Sequence, residues 1–136
     1  MTNEDFTRMA LWQKSQALAL AVVRLVSALP RVRTAETIGN QLLRSAGSVP
    51  ANIAEGYGRY SQAAYRSHLS IARGSLFETE SWIDLLAQAE FIQEADKTAL
   101  LNSCHEVGKL LTLRMKSLGE ARQSYAREES GLYEVE

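Results

Sequence analysis

The chain has 136 residues, room for one domain and too little for two ordinary ones, and its 46% hydrophobic and 23% charged residues are the composition of a folding globular unit. Fifteen Lys and Arg against sixteen Asp and Glu leave a net charge of −1, so no global positive field gathers nucleic acid or anionic lipid, and any such binding must be local. The single cysteine, Cys104, excludes an intrachain disulfide framework and any cysteine-based zinc site.

A reducing compartment fits that cysteine usage. The longest strictly apolar run, Ala17 to Val23, falls far short of the about 18 residues a membrane span needs, so no membrane partner is expected. Met1 to Asp5 is acidic where a secretory signal is basic, and the expected location is cytoplasmic.

From Leu11 the positions Leu11, Ser15, Leu18, Val22, Leu25 and Leu29 alternate four and three apart, one wide helical stripe. Pro30 ends it, because proline disfavours helical geometry in the residue before it, and the expected helix covers Glu4 to Leu29. A second helix starts near Thr34 as N-cap with Glu36 in its first turn, and carries Ile38, Leu42, Ser45, Val49 and Ile53 inward. It ends at Gly56-Tyr57-Gly58. Pro50 lies inside, above the small Ala46, which predicts a kink without a break.

Ser61 is the N-cap of a third helix whose inward row is Tyr65, Leu69, Ala72, Leu76, Thr79, Ile83 and Leu86, with His68, Ser75 and Trp82 beside it every seven residues. It ends near Glu90. After Phe91 and Ile92 a fourth helix carries Leu100, Cys104, Val107, Leu111, Met115 and Leu118. No strand pattern appears. Short connections force neighbouring helices antiparallel, so the fold class is all-α, an antiparallel up-down-up-down four-helix bundle over residues 1–126 with a flexible acidic tail over residues 127–136.

Catalytic and metal chemistry finds no foothold. The Glu-x-x-His pairs of di-metal bundles are absent, and Cys104 and His105, adjacent on a helix, point about 100° apart and cannot clasp one ion. His68 reads as a packed seam residue. No phosphate loop, haem motif or nucleophile elbow occurs, so neither enzyme activity nor cofactor is expected. Gly74, within the third helix's heptad register, reads as a place where another helix comes close.

Arg44, Ser48, Asn52, Glu55 and Arg59 form one polar ridge on the second helix, either a binding surface or a seam against polar groups of the third. With the hairpin turn centred near residue 60, Glu55 falls near Arg66 and Arg44 within a turn of Glu78, two expected charge-assisted pairs.

The order Leu11-Trp12-Gln13-Lys14, Leu29-Pro30, Gln41-Leu42-Leu43-Arg44-Ser45-Ala46, Val49-Pro50-Ala51-Asn52-Ile53-Ala54-Glu55-Gly56 and Ile71-Ala72-Arg73-Gly74-Ser75 resembles the four-helix-bundle family encoded in intervening sequences of large-subunit ribosomal RNA genes. That family includes the accessory variability proteins of diversity-generating retroelements. The resemblance covers about residues 6–118, with Asn52, Glu55, Gly56, Arg73, Gly74 and Ser75 as its most specific positions. It implies a ring-shaped homopentamer, and for the retroelement members binding of nucleic acid and a reverse transcriptase through strongly basic surfaces. The net charge of −1 and the segment Val32 to Thr37, without an acidic-aromatic turn, set this chain apart from those members.

Charge is uneven along the chain. Residues 1–75 hold nine basic and four acidic residues, and residues 76–136 hold six and twelve. A positive half can meet phosphate or the negative half of a neighbouring subunit. Arg31, Arg33, Arg44, Arg59, Arg66 and Arg73 are the candidate nucleic-acid contacts, weak, sequence-tolerant and salt-dependent, since no recognition helix or interleaved aromatics accompany them. Trp12, Tyr57, Tyr60, Tyr65, Phe77 and Trp82 exceed what one narrow core takes in, which predicts self-association. The expected function is a non-enzymatic, ring-forming scaffold or adaptor with RNA, DNA or a protein as partner; the alternative is a purely protein-binding or regulatory oligomer.

Overall fold

The computed structural model describes residues 5–133, with side chains through residue 119. An opening 3-10 turn over Phe6–Arg8 is followed by α1 (Ala10–Ser27), α2 (Arg33–Tyr57), α3 (Gln62–Gln88) and α4 (Glu94–Tyr133). The described residues contain no strand.

The helices pack in a closed cycle, α1 on α2, α2 on α3, α3 on α4 and α4 on α1. Cross-helix partners set the directions. Arg44 of α2 pairs with Glu78 of α3 and Asn52 with His68; Asp84 of α3 pairs with Lys97 of α4 and Glu80 lies by His105. Lys14 of α1 meets Glu106 of α4, while Leu25 and Leu29 share a cleft with Phe91 and Ile92 just before it. In each set one residue number rises as the other falls, so all three pairs are antiparallel and α1 opposes α2 as well: the chain is an up-down-up-down bundle.

The expected rows form the core. Leu11, Leu18 and Val22 of α1, Leu42, Val49 and Ile53 of α2, Leu69, Leu76, Ile83 and Leu86 of α3, and Leu100, Cys104, Val107 and Leu111 of α4 are buried together. Ser15, Ser45 and Thr79 sit in the same rows, fully buried and hydrogen-bonded: the two serine hydroxyls donate to carbonyls one turn back, and Thr79 Oγ1 lies 2.9 Å from Ser45 Oγ. Pro50 is buried within a continuous α2.

The helix ends depart from expectation. Glu4 lies outside the described residues, and the segment after it is a 3-10 turn capped by Asp5, whose carboxylate accepts from the Thr7 amide at 3.0 Å; α1 begins only at Ala10. The edge of Trp12 against the Phe6 ring, centroids 5.1 Å apart, and the Gln13 amide donating to the Thr7 carbonyl hold the turn against α1. In α2 the N-cap is Val32, without a side-chain bond, and Thr34 is already inside. Ser61 caps α3 as expected, accepting from the Ala64 amide at 3.0 Å. α4 stays helical through Tyr133 and so takes in residues 127–133 assigned above to a flexible tail, a stretch whose Arg, Glu and Leu suit a helix against the opposition of Ser130 and Gly131. Residues 134–136 of that tail lie outside the described residues.

Candidate functional site

The bundle carries two candidate surfaces, the polar ridge between α2 and α3 and a groove between α3 and α4. The ridge is a continuous hydrogen-bonded track. Ser75 Oγ donates to Ser48 Oγ at 3.0 Å; the Asn52 amide donates to the Ser48 carbonyl and hydroxyl, both at 2.9 Å. Asn52 Oδ1 faces His68 Nδ1 at 3.2 Å, and His68 Nε2 lies 3.3 Å from Glu55, which also accepts from Arg59 at 2.6 Å. Arg59 first, and His68 after it, hold the Glu55 carboxyl below its ordinary range. One turn before Ser48, at the other end of the track, Arg44 pairs with Glu78, whose carboxylate also accepts from the Trp82 indole at 3.0 Å.

This track is a seam. Its polar groups are spent on one another, as the interhelical reading of Asn52 and Glu55 requires, and His68 is a packed member of it. Gly56 belongs to the same seam: a Cβ there would come within 2.7 Å of His68 Cβ and 3.3 Å of the Tyr65 carbonyl, so α2 and α3 close up only over a glycine.

The Arg44–Glu78 pair forms; the Glu55–Arg66 pair does not. Arg66 and His68 are two residues apart, hence on different flanks of α3, and the flank facing α2 belongs to His68. Arg66 lies instead against Gly119 of α4, and makes no ion pair among the described residues.

The six candidate arginines do not form one patch. Arg31 and Arg33 are exposed at the α1–α2 turn, while Arg59 and Arg66 lie at the other end, about 37 Å along α2. Arg44 and Arg59 are neutralised by Glu78 and Glu55. Arg73 is exposed and stacks its guanidinium 5.0 Å over the Phe77 ring. Gly74 has nothing within 4 Å of where a Cβ would stand, so the close approach expected of it does not occur among the described residues.

The groove was not legible in the sequence. About 710 Å3 in volume and mainly apolar, it is walled by Phe77 and Leu113, 52% and 63% exposed, floored by Cys104 and Gly108, and rimmed by Arg73, Glu80 and Lys109. Phe77 and Leu113 lie off the buried rows of different helices, and only the α3–α4 register brings them together. Cys104 is fully buried, and that burial, with the charge of Glu80 second, pushes its thiol up to about 12. Across the bundle a second apolar strip lies along α1 and α2. Leu20, Val23 and Leu43 are each more than a third exposed, and the packing of Gly39 against Val26 and Leu29 brings Leu43 level with Val23.

No cluster of three or more potential metal ligands occurs among the described residues, and none of their helices is long and apolar enough to cross a membrane. Of the remaining surplus aromatics, Tyr60 is fully exposed in the α2–α3 turn, whereas Trp12, Tyr57, Tyr65 and Trp82 are partly buried.

Residues 7–113 match a family model described as 23S rRNA-intervening sequence protein. Among solved structures, a protein with unknown function from the S23 ribosomal protein family of Bacteroides thetaiotaomicron is similar, with a TM-score of 0.75 and 32% identity, over 79% of this chain and 99% of that one. No curated protein matches.

Proposed function

The chain belongs to the 23S rRNA-intervening sequence protein family, and from that premise we propose that it is a non-enzymatic, cytoplasmic bundle that assembles into a closed ring and serves as a scaffold or adaptor. The observation that carries this reading is the pair of unlike apolar surfaces on opposite sides of the bundle, the Phe77–Leu113 groove and the Leu20–Val23–Leu43 strip. A contact between two different faces is heterologous: repeated, it closes a ring where its rotation returns to the first copy and runs on as an open filament where it does not, and the family resemblance selects the ring. Five subunits, and kinship with the accessory variability proteins of retroelements, are what the family resemblance adds to the proposal. Native mass spectrometry at micromolar concentration tests it: closed rings, five copies each on this reading, single or in pairs, are the expected particles, and a monomer or an open polymer of no fixed size overturns it.

Nucleic acid has a smaller part in this proposal than the six arginines first suggest. Arg44 and Arg59 are paired with carboxylates, which favours the alternative of a purely protein-binding oligomer. Of the other four, Arg66 is half-buried against α4, and Arg31, Arg33 and Arg73, exposed and without an ion pair among the described residues, are the remaining phosphate contacts, multiplied by the copies in a ring. Titration with labelled RNA and DNA at about 50 and 200 mM salt separates the two: binding that collapses with salt supports the adaptor, and no binding at low salt supports the protein scaffold.

A further inference from the structure

α4 outruns the bundle. Its contacts with α3 step from Lys97 against Asp84, through Gly108 against Leu76, to Gly119 against Arg66. Continued at that register, the first residue of α3, Gln62, lies level with about Gln123 of α4. On the other side α1 ends sooner, since Ala10 and Leu11 already share a cleft with Leu110, Leu113 and Ser117. The backbone from about Gln123 to Tyr133 therefore projects past both neighbours, by about 15 Å at 1.5 Å per residue. It also lies beyond the residues that match the family.

The projection keeps the core's row. Leu111 is buried and Leu118 partly buried, and the seven-residue step from them continues to Tyr125 and Leu132. An apolar row has thus been carried past the last helix of its own chain that runs beside it.

The segment is complementary to itself in one direction. Set antiparallel about Tyr125, it places Leu118 level with Leu132 and Arg122 level with Glu128, and from residue 119 to 131 no two like charges fall level. Set parallel and in register, it places Arg122 on Arg122 and Glu128 and Glu129 on themselves, which is repulsive. A polyanion is a poor occupant, because residues 119–133 carry two basic against three acidic residues.

We propose that the projecting end of α4 is a twofold docking helix for the same segment of a second copy, the two lying antiparallel about Tyr125. This contact uses the end of the bundle, goes beyond the ring contact of its sides, and stands without it. It joins molecules or whole rings in pairs.

Charge reversal in the full-length chain is the test, read as particle mass against concentration. Arg122→Glu and Glu128→Arg each turn two symmetric attractions into repulsions and should weaken the pairing about tenfold, and the two together should restore it. Leu132→Asp should halve the particle mass. At concentrations low enough to dissociate the pair, all variants should share the wild type's thermal unfolding, because the core ends before these positions. Single reversals that leave the mass unchanged, or a double reversal that fails to recover it, overturn the proposal. The ring proposal fails separately: Leu132→Asp then yields monomers, and not one ring.

Discussion

Two glycines of the family motif carry opposite consequences for stability, and the difference lies in what stands where a methyl would go. At Gly56 the nearest atoms are His68 Cβ, the Tyr65 ring and the Tyr65 carbonyl, and the first and last of these do not move without shifting α3. Gly56→Ala therefore forces α2 and α3 apart and should cost about 1–3 kcal/mol, less the roughly 1 kcal/mol of helix propensity that alanine returns. Gly74 meets nothing within 4 Å, so Gly74→Ala should raise the stability of the isolated bundle by up to about 1 kcal/mol. Urea unfolding of the two variants under dissociating conditions checks both signs. If Gly74→Ala stabilises the bundle yet weakens assembly, another copy approaches that face, and the unused glycine has its reason.

At the scale of the element, the end of α3 shows how a turn is held without the residue it prefers. The Phe91 amide bonds back to the Leu86 carbonyl at 2.9 Å and the Glu90 amide to Ala87 at 3.0 Å, the paired bonds of a Schellman ending. That ending requires a left-handed residue, and Glu90 adopts it at φ 64°, strained for a side chain and free for glycine. Glu90→Gly should stabilise the bundle by about 1 kcal/mol, measurable as a higher urea midpoint. Beside this turn, Lys97 and then Gln88 hold the Asp84 carboxyl below its ordinary range, while Asp84 and Glu94 hold the Lys97 ammonium above its own. The carboxylate's contribution is complete above the unfolded carboxyl's range and is lost as pH falls through the lowered folded value; the ammonium's is complete at neutral pH and is lost as pH rises through its raised one. The turn should loosen in strong acid and strong base. Lys97→Met should move the Asp84 midpoint upward in a carboxyl-resolved NMR titration.

The same elements show what a sequence discloses. Every buried row was legible, since positions three and four apart must share a face whatever else the chain does. Ser61 was legible as a cap because its hydroxyl does the capping, whereas the starts of α1 and α2 were not: one follows a 3-10 turn docked by Phe6 and Gln13, the other has Val32 as its N-cap with no side-chain bond. Of the two cross-helix pairs, Arg44–Glu78 followed from register, and Glu55–Arg66 failed because level on the axis is not the same as facing. The groove stayed hidden for a related reason. Phe77 and Leu113 are exposed apolar residues on separate helices, and exposure of that kind is visible only once the helices are placed.

At the scale of the whole molecule, an assembly built from two unlike faces makes a demand that a like-with-like dimer does not. Phe77→Asp disables the α3–α4 groove and leaves the α1–α2 strip intact; Leu43→Asp does the reverse. Both positions are exposed, so each charge can be solvated in the monomer and the fold should survive. Each variant alone loses every ring contact, because any contact needs one face of each kind and one kind is missing. Mixed together, the strip of the Phe77→Asp chain can still meet the groove of the Leu43→Asp chain. The complex must stop at two subunits, since both outward faces are then the disabled ones. Native mass spectrometry of the separate and mixed variants should therefore show monomers, monomers and a one-to-one heterodimer, with Leu132→Asp present in both chains to silence the end contact of α4. A mixture that remains monomeric would mean that these two faces do not meet, and homodimers in either separate sample would mean that a face pairs with itself.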